Sequence, residues 1–320
     1  MRKLRLMSVQ PATNYYAWQV EVFLTRTLSQ GYNPNFIDVI GAYDVSIDQS
    51  WLVLQQAFPA VRFFFYKDTR EDRKYPPSIQ SHILTKHWLQ FPELKKDAVF
   101  FHDCDFIFTR FFDFEPYLQD DKWYFSDCDS YLGADYIESK GSHKVNKMKN
   151  GEPEMLLDGM ARALGMCSCT VRAKRGRSGG AQKLIKNVSH KYWAEVEKDT
   201  INLYNWLIEH KDEYGDEERN SIQVWTASMW GELWNAWKRD VQLEIPDSFG
   251  FAWATCHKSR WEEKSFFHNA GVQNSDQEMF YKGDYTEKFP YGLDLKLSDN
   301  RCSKAYYDIV QDVGKNSVIL

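Results

Sequence analysis

The spacing of apolar and polar positions changes repeatedly along the chain. Residues 3–34, "KLRLMSVQPATNYYAWQVEVFLTRTLSQGYNP", open as a short apolar strand, break at Pro11 and resume as an aromatic-rich helix ending near Gly31. Residues 35–43, "NFIDVIGAY", form a second strand, and residues 50–68 a short helix followed by a strand. Residues 76–94 begin with two prolines suited to a helix start and continue with apolar positions at helical spacing. Residues 96–108, "KDAVFFHDCDFIF", are the next strand. Strands alternating with helices predict an α/β fold with a mostly parallel central sheet flanked by helices. Ligands of such sheets bind beyond the carboxyl ends of the strands, where Asp103 and Asp105 fall.

The middle of the chain reads differently. Residues 137–155 and 171–182 are polar, glycine-containing and basic, as loops over a cleft would be. Residues 188–210 predict a long amphipathic helix and residues 220–240 a second helix dense in tryptophan. From residue 247 to 285 the pattern is one of short strands and loops. No internal repeat or composition break appears, so residues 1–320 are read as a single domain with a C-terminal elaboration.

Composition adds three constraints. Aromatics make up 16% of the chain, with 12 Trp and 18 Tyr, enough to fill a core and also to line a saccharide cleft. A net charge of −5 gives no global attraction to nucleic acid. No apolar run approaches the roughly 20 residues that span a bilayer, and "MRKLRLMSVQ" reads as a first strand without the apolar core of a signal peptide. The six cysteines show no regular spacing, and Cys167 and Cys169 are too close for a zinc knuckle. They are read as reduced, and the protein as cytoplasmic without a membrane partner.

Candidate chemistry centres on "HDCDF". Two carboxylates at a strand end can turn toward one hard divalent cation, Mn²⁺ or Mg²⁺, which uses carboxylates together with substrate phosphates. The tripeptide alone reads more readily as a pair of turn aspartates than as a site. His268, in "KSFFHNAGV", follows another aromatic run and would complete a metal set with Asp103 and Asp105. A second pair, Asp127 and Asp129 in "SDCDSYLGADYI", follows a less apolar run; Asp127 is assigned to sugar hydroxyls or to turn capping. In "RSGGAQ", Gly179 and Gly180 let backbone approach a ligand and Gln182 offers a donor and an acceptor; otherwise it is a flexible turn before a helix beginning near Ala181. Arg172, Lys174, Arg175 and Arg177 form a solvated loop, a lid on a diphosphate, or, with Lys144, Lys147 and Lys149, a contact to an anionic acceptor. Trp225, Trp230, Trp234 and Trp237 recur at helical spacing; most belong to the core, with Trp230 assigned to the acceptor cleft.

Taken in order, these pieces resemble a GT-A glycosyltransferase, more narrowly the hydroxyproline O-arabinosyltransferase and peptidyl-serine galactosyltransferase group and its viral or bacterial relatives. "NYYAWQVEV", "KYPPSIQSHILTKHWLQ", "VFFHDCDFIF", "SGGAQKLIKNVSHKYWAEVE", "WTASMWGELW" and "FFHNAGV" carry the resemblance across most of the chain. It implies a UDP-sugar donor (arabinose, galactose or glucose) bound mainly by residues 1–130, and a hydroxyl acceptor met by residues 131–320. Asp103, Asp105 and His268 would hold the metal. Gln10, Pro11, Lys74, Asp127, Gly179, Gly180 and Gly271 would bind the donor, with Lys74 reaching the phosphates. Transfer would be retaining, with Gln182 beneath the sugar in a front-face mechanism. Trp230, Arg175 and Arg177 would face the acceptor, which is a glycan, a protein or hydroxymethylated bases of phage DNA. Two features depart from the group. Relatives carry an acid before the Met of the Trp-rich helix, where this chain has Ser228; Glu232, four residues on and on the same helical face, is assigned that role. The secretory-pathway relatives also carry a membrane anchor, which this sequence does not show. The rival readings are a non-catalytic protein of the same fold that binds glycan or nucleotide sugar, and a metal-dependent phosphohydrolase, which would need a second ligand cluster.

Overall fold

A computed structural model describes residues 2–145, 147–215, 221–276 and 278–320. Its strands in chain order are β1 (Leu4–Pro11), β2 (Ile37–Tyr43), β3 (Arg62–Lys67), β4 (Ala98–Phe101), β5 (Phe106–Phe108), β6 (Trp123–Asp127), β7 (Met148–Lys149), β8 (Glu152–Pro153), β9 (Gly179–Lys186), β10 (Leu243–Glu244), β11 (Phe251–Trp253) and β12 (Phe266–His268). Seven of them form the central sheet in the order β10-β6-β9-β4-β1-β2-β3. Every neighbouring pair is parallel except those of β9, which runs antiparallel to both β4 and β6. The mostly parallel α/β sheet expected from the alternation of elements is therefore present.

β1 explains the arrangement. Its residues Arg5 to Gln10 are all buried, the signature of a strand covered on both faces. β2 pairs with one edge of β1 and β4 with the other, so strand order reverses at β1. Right-handed crossovers then put the helices Asn14–Ser29 and Gln49–Ala57 on one face, and Ile79–Gln90 on the other. The last of these packs against His190–His210, which packs in turn against Ala227–Lys238. The crevice at the carboxyl ends of β1 and β4 is the point where such sheets bind ligands.

Four expectations are corrected. The strand predicted over residues 96–108 is two strands in two sheets: β4 stays in the central sheet, while β5 pairs antiparallel with β12, which pairs parallel with β11. Residues 102–105 are the turn between them. Beneath the turn, Phe100, Phe106 and Phe266 pack with ring centroids 5.4–5.5 Å apart, so much of the aromatic excess is core at this junction. Second, the segment after "RSGGAQ" is not a helix near Ala181; residues 179–186 are β9, with Leu184 and Ile185 buried between two strands. Third, the Trp-rich helix predicted over residues 220–240 starts at a position outside the described residues; a short turn at Val224–Thr226 leads into the helix Ala227–Lys238. Fourth, Cys167 and Cys169, read as reduced, are joined in a disulfide, their Cα atoms 5.2 Å apart and within bridging reach. The other four cysteines are free, but the cysteine argument for a cytoplasmic location loses its premise. Among the described residues no helix is long and apolar enough to cross a membrane.

Candidate functional site

The turn between β4 and β5 is closed from several sides. The Phe106 backbone N–H donates to the Asp103 carbonyl at 3.2 Å, and the His102 N–H donates to the Met7 carbonyl at 3.0 Å. The Asn269 N–H donates to the Asp105 carbonyl at 3.0 Å, tying the turn to the residue after β12. Because β5 and β12 are paired with His268 opposite Phe106, the imidazole reaches the aspartates from the far strand. His268 Nε2 lies 3.2 Å from Asp105 Oδ1 and 3.4 Å from Asp103 Oδ2. One ligating atom from each of Asp103, Asp105 and His268 fits within 4.8 Å of the others. Two carboxylates and an imidazole so gathered fit Mn²⁺ or Mg²⁺.

Charge at this point is concentrated. Burial pushes the Asp105 carboxyl up, but the Lys282 ammonium and His268 outweigh it and hold the group below the usual carboxylate range. Burial pushes His268 down, yet the Asp105 carboxylate raises it above an ordinary histidine. Lys282 contacts Asp105 Oδ2 directly. Nothing in the spacing of residues 266–285 singled out this lysine, because it sits 14 residues beyond His268 on a separate turn. Gln80 Nε2 approaches Asp103 Oδ1 at 3.5 Å and also donates to the Val9 carbonyl at 3.2 Å.

These side chains form one end of a cavity of about 400 Å³. Gln10, Pro11, Tyr15 and Tyr16 line it from β1 and the following helix, and Gln80 from the opposite layer. Trp253, stacked on His268 with centroids 5.9 Å apart, and Tyr131 line it beside the cluster, and Trp225, Ser228 and Met229 line it as well. Gln10 Nε2 donates to the Ile40 carbonyl at 3.3 Å, while its buried Oε1 has no partner.

Other expected site residues lie elsewhere. Gln182 is fully buried within β9 and outside the cavity lining; its Oε1 accepts from the Ser126 hydroxyl at 3.2 Å. A register shift between Phe125 and Ser126, with Ala181 at φ 48°, turns Ala181 to the cavity and Gln182 into the core. The glycines serve packing: a Cβ on Gly179 would lie 2.5 Å from Phe125 Cβ, and one on Gly180 2.6 Å from Met229 Cε. Glu232 is buried against Lys183 of β9 and also lies outside the lining, although Ser228 one turn earlier faces the cavity. Trp230 is completely buried, its indole N–H donating to the Leu132 carbonyl at 3.0 Å. Of the four tryptophans read at helical spacing, the one at the cavity is Trp225, 58% exposed, its carbonyl held by the Tyr75 hydroxyl. The helical-period reading grouped it with the tryptophans of the helix, whereas it stands on the turn before that helix.

Arg175 is paired with Asp135 and Glu138, and Arg177 lines a different hollow with Lys174 and Trp237. Lys74 is exposed and outside the lining, its backbone N–H capped by Asp72 at 2.9 Å. Asp127 is exposed and accepts from the Asp129 N–H at 2.9 Å, as turn capping requires. Gly271 is exposed at φ 88°, three residues past His268, and does not line the cavity.

No protein-family model matches the chain, and no curated protein matches it in sequence. Among solved structures, the bifunctional glycosyltransferase WbbM in its apo form matches 97% of this chain at a TM-score of 0.50 and 9% identity. The fold is a glycosyltransferase fold. The apo glycosyltransferase GlyE of Streptococcus pneumoniae TIGR4 matches at a TM-score of 0.43 and 11% identity, over 100% of this chain and 62% of its own. The chain spans 52% of WbbM, about half the length of that protein.

Proposed function

We propose that this chain is a glycosyltransferase that moves a sugar from a nucleotide sugar to a hydroxyl acceptor. The observation that carries the reading is the gathering of Asp103, Asp105 and His268 at one end of a cavity, at the carboxyl ends of β1 and β4, within a glycosyltransferase fold. When bound by these three residues, Mn²⁺ or Mg²⁺ supplies charge neutralisation for a departing diphosphate. Gln10 and Pro11 border the nucleotide, and the unpartnered Gln10 Oε1 is an acceptor for a base N–H. The resemblance carried by the sequence motifs favours UDP as the nucleotide, arabinose, galactose or glucose as the sugar, and membership of the hydroxyproline O-arabinosyltransferase and peptidyl-serine galactosyltransferase group.

The same resemblance favours retention, and the cavity suits it. Among the described residues that line it, the carboxylates are Asp103 and Asp105, both already in the ligand set. That leaves no carboxylate for a covalent glycosyl intermediate and none as a general base on the opposite face of the sugar. In a front-face transfer the bond from the anomeric carbon to the phosphate oxygen breaks. The acceptor oxygen bonds on the same face, and its proton passes to the leaving phosphate. From this segment Ala181, and not Gln182, lines the cavity.

The acceptor side, with Trp225, Trp253 and Tyr131, suits a neutral glycan or a protein hydroxyl more than DNA. The basic residues that favoured DNA are partly spent: Arg172 and Arg175 are paired with Glu138, Asp158 and Asp135. Release of UDP from a panel of UDP-sugars, with and without Mn²⁺, tests the reading. Metal-dependent release that rises when a hydroxyl acceptor is added is the expected result. Saturable binding of UDP-sugar without turnover under any condition would make the protein a binder instead.

A further inference from the structure

Lys282 introduces the turn Lys282–Tyr285 and is clamped on both sides. Phe280 and Tyr285 are buried and stacked with centroids 5.3 Å apart, and the Phe280 N–H donates to the Ser303 hydroxyl at 2.7 Å. The backbone is thereby fixed and the ammonium is delivered to Asp105 by the side chain alone. It takes Oδ2 of Asp105 while His268 Nε2 approaches Oδ1, so both oxygens of that carboxylate are engaged. Both side chains line the cavity, but that of Asp105 is 4% exposed and that of Lys282 29% exposed.

We infer that Lys282 is a built-in cation of this pocket, competing with the divalent metal for Asp105. The inference rests on reading Asp103, Asp105 and His268 as the metal ligands. A divalent ion sharing Asp105 with the ammonium would meet a like charge at ion-pair distance, where repulsion is strong in a partly buried site. Metal entry therefore requires the lysine side chain to swing toward the cavity, which its exposure permits and its anchored backbone limits to the side chain. The consequence is a pocket that stays neutralised without metal and binds metal weakly on its own. Metal binding tightens when an anionic group in the cavity receives the displaced ammonium.

Calorimetric titration of MnCl₂ into the whole protein, without any sugar donor, tests this. Lys282→Met should bind Mn²⁺ at least about tenfold more tightly than the parent, a difference set by removing one unit of charge beside the ion. Mn²⁺ should also raise the melting temperature of Lys282→Met more than that of the parent. If Lys282→Met does not fold, Lys282→Gln, which keeps a polar head without charge, carries the same expectation. Equal or weaker Mn²⁺ binding in either folded variant overturns the inference and leaves the transferase reading standing. Absence of Mn²⁺ binding in parent and variant alike overturns both this inference and the metal reading. UDP release from UDP-sugars, measured in parallel, reports separately on transfer.

Discussion

The tripeptide Asp-Cys-Asp occurs twice, at residues 103–105 and 127–129, each time where a strand of the central sheet ends. In both, the cysteine is buried, so the middle residue anchors the turn in the core. The outcomes differ because the chain leaves the two turns in different conformations. After Asp105 it continues extended as β5 and pairs with β12, which brings His268 and the Asn269 N–H onto the turn. After Cys128 it enters the short helix Asp129–Leu132, and each carboxylate is taken up by a backbone N–H. Asp127 accepts from the Asp129 N–H at 2.9 Å and Asp129 from the Ser178 N–H at 3.2 Å. A cluster that could hold a cation is thus made by the long-range strand partner and not by the tripeptide.

The largest expected difference is catalytic. Asp105→Asn should lower metal-dependent turnover by on the order of a hundred- to a thousandfold, the usual loss when a charge-stabilising group is removed from a reacting centre. Asp127→Asn should leave kcat/KM within a factor of about three, since it faces solvent at a turn. Steady-state kinetics on the pair checks the contrast, and comparable losses in both would erase the distinction between the two tripeptides.

The next test isolates the partner strand. His268→Gln should weaken Mn²⁺ binding by about ten- to a hundredfold, as loss of a ligand or its support does. The same residue gives the binding a pH dependence. Its pKa is raised above the ordinary 6.5, chiefly by the Asp105 carboxylate acting against burial. Metal needs the neutral imidazole, so affinity should fall as pH drops through that raised value, and each ion bound should release a proton. In the metal-free protein the sign is opposite. The stability gained from the charged imidazole is present below 6.5 and is lost as pH rises through the raised value. Titrations at about pH 6 and about pH 8 should show tighter Mn²⁺ at the higher pH, and a flat profile would remove His268 from the set.

Legibility in the sequence tracks the range of the interactions. The strands of the first 100 residues and the helices between them are written in local period, and the Asp103, Asp105 and His268 set in an apolar run ending at each of two strand ends. Three things were not legible. The irregularity at Ala181, a two-residue change of register against β6, decides which of two adjacent side chains faces the cavity, and no pattern of composition marks it. Glu232 lies on the expected helix, but Lys183 on β9 claims it, a pairing of residues 49 positions apart. Trp225, grouped by its spacing with the helix, and Lys282, which no spacing marked, both stand on short turns and reach the cavity through tertiary packing.

The smallest effect asked of the comparison concerns stability at the second tripeptide. If Asp127 and Asp129 serve the turn, then Asp129→Ala removes a hydrogen bond to the Ser178 N–H and an acid from the first turn of a short helix. The cost should be about 1 kcal/mol, within the range for one such bond and cap. That corresponds to a fall in melting temperature of a few degrees at most for a chain of this size. Mn²⁺ affinity should not change, because the ligand set lies at the other tripeptide. The two readouts pull apart the structural and ligating uses of the same three residues. A stability loss with unchanged metal binding assigns Asp129 to the turn. Weakened metal binding at unchanged stability would mean that the second tripeptide also reaches the cation, and that local capping misreads it.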